Sequence, residues 1–475
     1  MRLKLLTLAL TLAAISLPSH GEDLLDAYRE AHANDPVLAQ AQATRLSVGE
    51  GVPQARAVLL PQINGTLGLQ QTSGGSSNSS FSSLGSGSGS DFLCSNLASG
   101  VGTYDCSPLA STGTGNNGSG HTRSRTLSAE VSQVIFNLAD IANLRAAHST
   151  ANAQNLLYTV AEQELYVRVA TAYFGVLTSQ DALTFAKASE DSYRQSYEQS
   201  DQQFKVGISA ITDVYSAKAS YEAAKAATVT AENTLNDARE ALTQITGKPT
   251  GTLKLLRDDL PLDPPSPNNV DSWVQDTNNK SPQLLADQQT VEAAEHDINA
   301  ARSGHLPTIS ASLSRGKTST WLEHGSYDAT GNGRFGTTIG VTLTVPIFSG
   351  GATQSRVRQS IDQRDSAQDQ MESDRRLAVR NTLNYFRSVV AGISEVQSGR
   401  SAVDSGQKAL DATKAGFSVG TKTMTDVLLA IQTLTSSEST YSQARHQFVL
   451  NQLLLKQSAG TIDYKDVEAV NALLQ

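Results

Sequence analysis

The chain has 475 residues, of which 37 are Lys or Arg and 46 are Asp or Glu, giving a formal net charge of −9. An acidic protein is repelled by phosphate backbones, so nucleic acid is excluded as a partner. The low aromatic content of 5% favours long helices over a compact enzyme core.

The N-terminus has the pattern of a secretory signal peptide. Arg2 and Lys4 precede an apolar run over residues 5–17, and small residues follow up to Gly21. We expect export and cleavage after Gly21, so that residues 1–21 are a signal peptide. The apolar run is too short to span a bilayer as a helix, and we expect no transmembrane helix after it.

The chain contains one unit twice. The sequence NDPVL at 34–38 recurs as KSPQL at 280–284, and FKVG at 204–207 recurs as FSVG at 417–420. Shared segments that keep their order along the chain indicate a duplication. The length alone would suggest three globular domains, but the duplication indicates two repeats of one unit instead.

The duplication predicts two strand-and-helix repeats, at residues 22–259 and 271–475. Between them lies the segment 260–270, which contains four prolines. Proline cannot continue a helix, so we expect an extended linker there.

Each repeat contains two stretches in which apolar and polar residues alternate, which is typical of β-strands. They lie at about 62–70 and 124–134 in the first repeat and at about 308–316 and 336–346 in the second. Each is close to the length that a tilted strand needs to cross a bilayer, with its apolar side toward lipid. A small soluble hairpin would show the same alternation. Four strands cannot close a barrel around a channel, so the membrane interpretation requires oligomerisation.

A Gly- and Ser-rich segment, 71–123, joins the first two strands and is expected to be a surface loop. It holds both cysteines of the chain, Cys94 and Cys106. Outside the cytosol we expect them to form a disulfide, with two free thiols as the alternative. A metal site lacks further ligands nearby. The loop either covers the mouth of a pore or is a flexible insertion.

Two segments predict helices that are too long for a globular domain. Proline is absent between Leu138 and Val206 and between Ala352 and Val419, so each helix can reach about 100 Å. Heptad seams in the helices that follow them predict coiled-coil packing, as in the run Val427, Leu434, Tyr441, Phe448 and Leu455. Three glycines of the second long helix are also seven residues apart: Gly392, Gly399 and Gly406. They indicate a close helix contact or a stripe facing a lumen, or they are a coincidence.

Taken together, these features resemble the TolC family of outer-membrane efflux proteins. The resemblance includes LPT at 306–308 before a strand, PIFSGG at 346–351 after one, and Val-Gly with a downstream Asp-Val in each repeat. It implies an α+β membrane protein that trimerises into a twelve-stranded outer-membrane β-barrel continued by an α-helical periplasmic tunnel. The implied partners are outer-membrane lipid, a periplasmic adaptor protein and an inner-membrane pump of the RND, ABC or MFS type, without cofactor or metal.

The resemblance also implies a periplasmic gate, in which polar contacts hold helix pairs together at the inner end of the tunnel. The matching positions are Thr212, Asp213, Phe417, Lys422 and Asp426. We expect a charge pair between Asp213 and Lys422. Phe417 stands where the best-known member of the family has a tyrosine, so that hydroxyl is missing. Leu429 replaces a second acidic residue, which leaves Asp426 to form a single acidic ring. Alternatively, both aspartates only stabilise helix N-termini.

The turns that match the adaptor-contacting helix tips of the family are Val206, Gly207 and Ile208 in the first repeat and Val419, Gly420 and Thr421 in the second. Each glycine is also suited to terminate a helix, and the two roles are compatible.

The sequence favours an exit duct of a tripartite efflux or type I secretion system and does not distinguish drugs from secreted proteins. An enzyme finds no support, because His-Glu-x-x-His, Gly-x-Ser-x-Gly and a phosphate-loop lysine are all missing. The alternative is a structural or adhesive surface protein, against which the paired strands of membrane length argue.

Overall fold

The computed structural model describes residues 22–73, 121–323 and 331–475. The expected signal peptide, Cys94, Cys106 and most of the 71–123 loop lie outside the described residues. The chain divides into two compact units, and each draws on both repeats. The strand unit comprises Arg56–Asp140 and His305–Ile347, and the helical unit comprises the remainder.

The strand unit is an antiparallel sheet built from both repeats. Its strands are β1 (Gln62–Ser73), β2 (His121–Phe136), β3 (Thr308–Glu323), β4 (Gly331–Asn332) and β5 (Gly336–Thr344). The first repeat supplies the β1–β2 hairpin, the second supplies β3 with β4 and β5, and the repeats meet where β2 pairs with β3. Within the described residues, the long strands β1 and β5 each have only one neighbour, so they form the two edges of the sheet.

The two faces of this sheet differ in polarity, as the alternating pattern predicts. Ile63 lies opposite Val131, which lies opposite Leu313, which lies opposite Ile339, so all four side chains share one face. Ile63 and Ile339 are 75% and 78% exposed in the single chain. The other face is polar, and there the hydroxyls of Thr66 and Ser128 lie 2.6 Å apart.

Ten helices occupy the described residues. They are α1 (Leu24–Asn34), α2 (Pro36–Gly49), α3 (Gly51–Val58), α4 (Leu138–Lys205), α5 (Ile211–Thr246), α6 (Val270–Lys280), α7 (Pro282–Ser303), α8 (Ala352–Ser418), α9 (Met424–Ser458) and α10 (Tyr464–Asn471). The recurring motif at 34–38 and 280–284 places a proline at the first position of α2 and of α7, where the missing N–H costs nothing. In the first repeat, Asp35 also caps α2 by accepting from the Leu38 N–H.

The core of the helical unit lies where the two long hairpins meet the short helices. Its largest fully buried side chains include Leu24, Tyr173, Phe174 and Phe448. The Tyr173 hydroxyl donates to the carbonyls of Glu22 and Lys254, which ties α4 to the segment between α5 and α6. That segment pairs with both ends of the described chain, since Leu253 bridges to Glu22 and Leu256 bridges to Leu474.

The three regularly spaced glycines of α8 face α9. A Cβ atom added to any of them would meet a heptad side chain of α9, and the partners are Phe448 for Gly392, Tyr441 for Gly399 and Leu434 for Gly406. A close helix contact therefore accounts for the spacing.

Candidate functional site

The candidate site consists of the two turns that join the long helices of each repeat. In the first turn, Ile208 N–H donates to the Gln203 carbonyl at 2.8 Å, and Gly207 N–H donates to the Phe204 carbonyl at 2.9 Å. This pair of bonds is the Schellman motif that ends a helix. Gly207 has a φ of +79°, which side chains with a Cβ rarely adopt.

The second turn repeats this geometry. Thr421 N–H donates to the Gly416 carbonyl at 2.9 Å, and Gly420 N–H donates to the Phe417 carbonyl at 3.1 Å. Gly420 also has a φ of +79°. Each glycine therefore terminates its helix, which is the structural role that we expected beside a contact role.

Apolar side chains stand exposed on both turns. Val206, Ile208 and Val419 are largely accessible to solvent in the single chain. Their fixed turns present them as small rigid knobs, a suitable surface for a protein partner.

Asp426 belongs to the capping box of the helix that follows the second turn, in which Thr423 is the N-cap residue. Its carboxylate accepts from the N–H and the hydroxyl of Thr423, while the Thr423 hydroxyl accepts from the Asp426 N–H, completing a capping box. The hydrogen bonds from the Thr423 N–H and hydroxyl, with the nearby charge of Lys422, lower the pKa of Asp426. Asp426 therefore has the N-terminal role that we considered for it, and its carboxyl stays charged in mildly acidic solution.

The first turn lacks this cap. Ala210 occupies the N-cap position of α5 and offers no side-chain hydrogen bond. The Asp213 carboxylate instead accepts from the Ser209 hydroxyl at 3.0 Å. Thr212 beside it is exposed. Asp213 thus takes no part in a capping box, whereas Asp426 does.

Asp213 and Lys422 do not form an ion pair within the part of one chain that the structure describes. Lys422 is exposed, and its stem covers Gly416, where an added Cβ would lie 2.8 Å from the Lys422 Cγ. The charge pair between Asp213 and Lys422 stays a prediction.

The hydroxyl that Phe417 lacks has a counterpart on α4. Phe417 packs at the edge of an apolar cluster around Met424 and Ile431, and Tyr193 packs against the same cluster. The Tyr193 hydroxyl donates to the backbone carbonyl of Leu428 at 3.2 Å, linking α4 to α9 two residues beyond Asp426. The sequence patterns did not predict a role for Tyr193. The one sign of an aromatic face was that Tyr193 and Tyr197 are four residues apart on a predicted helix.

Two further polar links join α4 to α9. His446 Nδ1 and the Thr178 hydroxyl lie 2.8 Å apart, and the Ser442 hydroxyl donates to the Asp181 carboxylate at 2.6 Å. The residue numbers of the partners rise along α4 and fall along α9, so the two helices run antiparallel. Burial lowers the pKa of His446 to about 4, outweighing the nearby charge of Asp181.

Within the described residues, no helix has both the length and the apolar character needed to cross a membrane, and no cluster of His, Cys, Asp and Glu could hold a metal ion. The two turns combine a rigid apolar surface with an aspartate, Asp213, that has no cationic partner among the described residues. Farther along the helices, polar links join the two hairpins.

Comparison with known proteins identifies relatives along nearly the whole chain. A family profile described as "Outer membrane efflux protein" matches residues 27–248 and 273–461. The chain is 31% identical over 478 residues to "Outer membrane protein TolC" of Vibrio cholerae serotype O1, covering 99% of both chains. It is 27% identical to "Alkaline protease secretion protein AprF" of Pseudomonas aeruginosa, covering 72% of this chain and 70% of that one.

The fold is similar to that of a solved structure. The outer membrane protein VceC of Vibrio cholerae superposes with a TM-score of 0.70 at 16% identity, covering 92% of this chain and 96% of that chain.

Proposed function

Because the chain belongs to the outer membrane efflux protein family, we propose that three copies form one passive exit duct across the outer membrane. The duct receives its cargo from a periplasmic adaptor protein and an inner-membrane pump of the RND, ABC or MFS type. The energy for transport is supplied by the pump.

The observation that carries this proposal is the pair of unpaired sheet edges. β1 and β5 each lack a second neighbour within the described strands, while one face of the sheet is apolar and exposed. Unpaired backbone groups are too costly in lipid to remain open, so β5 of one copy has to pair with β1 of the next. Four long strands from each of three copies make a barrel of twelve.

The gate lies at the helix turns of the duct. Asp213 lies in the first turn of α5 and Lys422 lies between α8 and α9, so they belong to different hairpins, and they do not pair with each other within the described part of one chain. In the trimer, Asp213 of one subunit pairs with Lys422 of its neighbour, and the three pairs hold the turns together around the axis.

The exposed apolar knobs of the turns bind the adaptor. Val206, Ile208 and Val419 are held by Schellman motifs, so little entropy is lost when a partner covers them. The cargo consists of small toxic compounds or secreted proteins. The similarity to a protein named for protease secretion supports the second class beside the first.

Conductance of the purified trimer in planar bilayers tests this function. We expect a low resting conductance, which rises when Asp213→Ala and Lys422→Ala are combined. The matched control is Asp404→Ala with Lys408→Ala, which removes an ion pair of 2.6 Å from the exposed surface of α8. Unchanged conductance in the first double variant would remove the pair from the gate, and a soluble monomer without detergent would overturn the duct itself.

Cargo is tested in a deletion strain. Sensitivity to dyes and antibiotics would identify small-molecule efflux, and loss of a secreted protein would identify secretion.

A further inference from the structure

Basic side chains lie on the apolar face of the strand unit. Lys317 lies opposite Leu127, which lies opposite Leu67, so Lys317 points to the same side as these leucines. By the same register, Arg125 lies opposite Leu69 and Arg315 lies opposite Ala129. We name Arg125, Arg315 and Lys317 the basic patch.

The basic patch begins at mid-strand. Arg315 and Lys317 lie in the middle of β3, and Arg125 lies in the half of β2 from which β1 leads into residues 74–120. Toward the other end, the row formed by Ile63, Val131, Leu313 and Ile339 carries no charge. The apolar face is therefore divided along the strand direction into an uncharged band and a basic border.

Two carboxylates lie on the described strands. Glu130 lies opposite Asn64 and Ser314 on the polar face, and Glu323 ends β3, six residues beyond Lys317. Among the described ion pairs, none involves Arg125, Arg315 or Lys317. The Arg315 guanidinium stands 5.7 Å from the ring centre of Phe335, a contact that leaves its N–H donors available.

The position of the patch fits the depth of lipid headgroups. An Arg or Lys that faces lipid is costly at the bilayer centre and nearly cost-free at the interface. Long basic side chains also reach along an apolar surface to bring their charge to the interface. At that depth the anionic groups available are phosphates, to which Arg makes bidentate, charge-assisted hydrogen bonds.

We propose that the basic patch binds the phosphate-bearing headgroup of an anionic membrane lipid, with the acyl chains of that lipid lying along the uncharged band below it. This inference rests on the proposed function, which places the apolar face of the sheet in the outer membrane. The bound lipid neutralises the patch in each subunit and fixes the depth of the barrel in the bilayer.

Lipid retention by the detergent-purified trimer tests the proposal. Native mass spectrometry would count bound phosphatidylglycerol and phosphatidylcholine of identical acyl chains, which differ in headgroup charge. We expect the wild type to prefer the anionic lipid, and Arg125→Gln with Lys317→Gln to weaken that preference about fivefold for each charge removed. The matched control is Lys218→Gln with Lys225→Gln, which removes two charges from the exposed surface of α5.

The outcomes separate this inference from the proposed function. Equal retention of both lipids by the wild type, or an equal loss in the control variant, would overturn the lipid site. Competition by inorganic phosphate at the concentration of the lipid would also contradict it, because a lipid site requires the acyl chains. Each variant is assayed for conductance in a neutral bilayer, so a trimer that conducts without lipid preference refutes only the lipid site.

Discussion

Gly392 on α8 lies directly against Phe448 on α9. A Cβ atom at position 392 would be 3.1 Å from Cδ2 of the phenylalanine ring, which is only 1% exposed. The absence of a side chain lets the two helix backbones approach closely at this point. Two heptads along α8, Gly406 faces Leu434 at an ordinary contact distance of 3.5 Å for the same hypothetical atom.

The contact predicts opposite effects for the same substitution at two positions. Alanine is favoured over glycine in a helix by about 1 kcal/mol, so Gly406→Ala should raise the melting temperature. Gly392→Ala should lower it, because displacing a buried ring costs about 1–3 kcal/mol. Thermal unfolding of the trimer in detergent, followed by circular dichroism, measures both. A stabilised Gly392→Ala protein would show that the ring can move and that the helices are not closely packed there.

Much of the fold is evident from local patterns in the sequence. The alternation at Ile63 to Leu69, the proline-free long segments and the duplicated motifs predict strands, long helices and a repeat, and the α+β fold class with its relation to outer-membrane efflux proteins is confirmed. These features are periodic or local, so a short stretch of sequence is enough to predict each of them. The glycine spacing left a close helix contact as one of three interpretations, and the identity of each α9 partner depends on the register between two helices.

The candidate site was less accessible to sequence reasoning. Both turn glycines follow from their position after a helix, and their Schellman bonds are local. The difference between the copies depends on single side chains, since Thr423 caps α9 while Ala210 leaves α5 uncapped. Tyr193 reaches a residue 235 positions away, a contact that no local pattern encodes.

The buried histidine predicts acid sensitivity of the helical unit. His446 faces Thr178 and Asp181 on α4 and lies beside Arg445, and burial lowers its pKa from 6.5 to about 4. Between these values the unfolded chain binds a proton that the folded chain does not. Stability is therefore complete above pH 6.5 and falls as the pH drops toward 4, by about 2 kcal/mol at pH 5.

Melting temperatures across this pH range check the prediction. His446→Gln retains a polar side chain beside Thr178 but cannot gain the proton, so its melting temperature should depend less on pH. An equally steep pH profile for the variant would assign the acid sensitivity to other groups.

Asp426 predicts cation selectivity of the duct. Its lowered pKa keeps the carboxyl ionised, and in the proposed trimer three copies around the axis would form a ring of negative charge that attracts cations. Asp426→Asn keeps an oxygen to accept from Thr423 but removes the charge, so the ratio of cation to anion permeability should fall toward one.

Reversal potentials in a salt gradient measure this ratio. The difference between variant and wild type should shrink at high ionic strength, where the charge is screened. Asp258→Asn removes one charge from a side chain that is 97% exposed and serves as the control. Equal selectivity of Asp426→Asn and wild type would leave Asp426 with the capping role alone.

Tyr193 predicts that a single hydroxyl helps to keep the gate closed. The cluster around Met424 and Ile431 holds α4 against α9 by apolar contacts, which have no directionality and permit sliding. The bond from Tyr193 to the Leu428 carbonyl has a defined direction and fixes the register beside Asp426. Burial raises the pKa of Tyr193, so its hydroxyl remains a donor throughout the physiological range.

Tyr193→Phe removes the hydroxyl and keeps the ring. Loss of one hydrogen bond of about 1 kcal/mol should raise the resting conductance about fivefold, with little change in melting temperature or trimer content. Tyr197→Phe is the matched control, because Tyr197 packs against the same cluster and stacks on Tyr221 at 6.3 Å, a contact between rings that survives the change. Both variants lose one hydroxyl oxygen from the same face of α4. A rise in conductance in Tyr193→Phe alone would therefore show that the hydrogen bond to Leu428 restrains the gate. It would also show that packing of the ring does not. Equal conductance of the two variants and the wild type would show that the apolar cluster is sufficient to hold the turns.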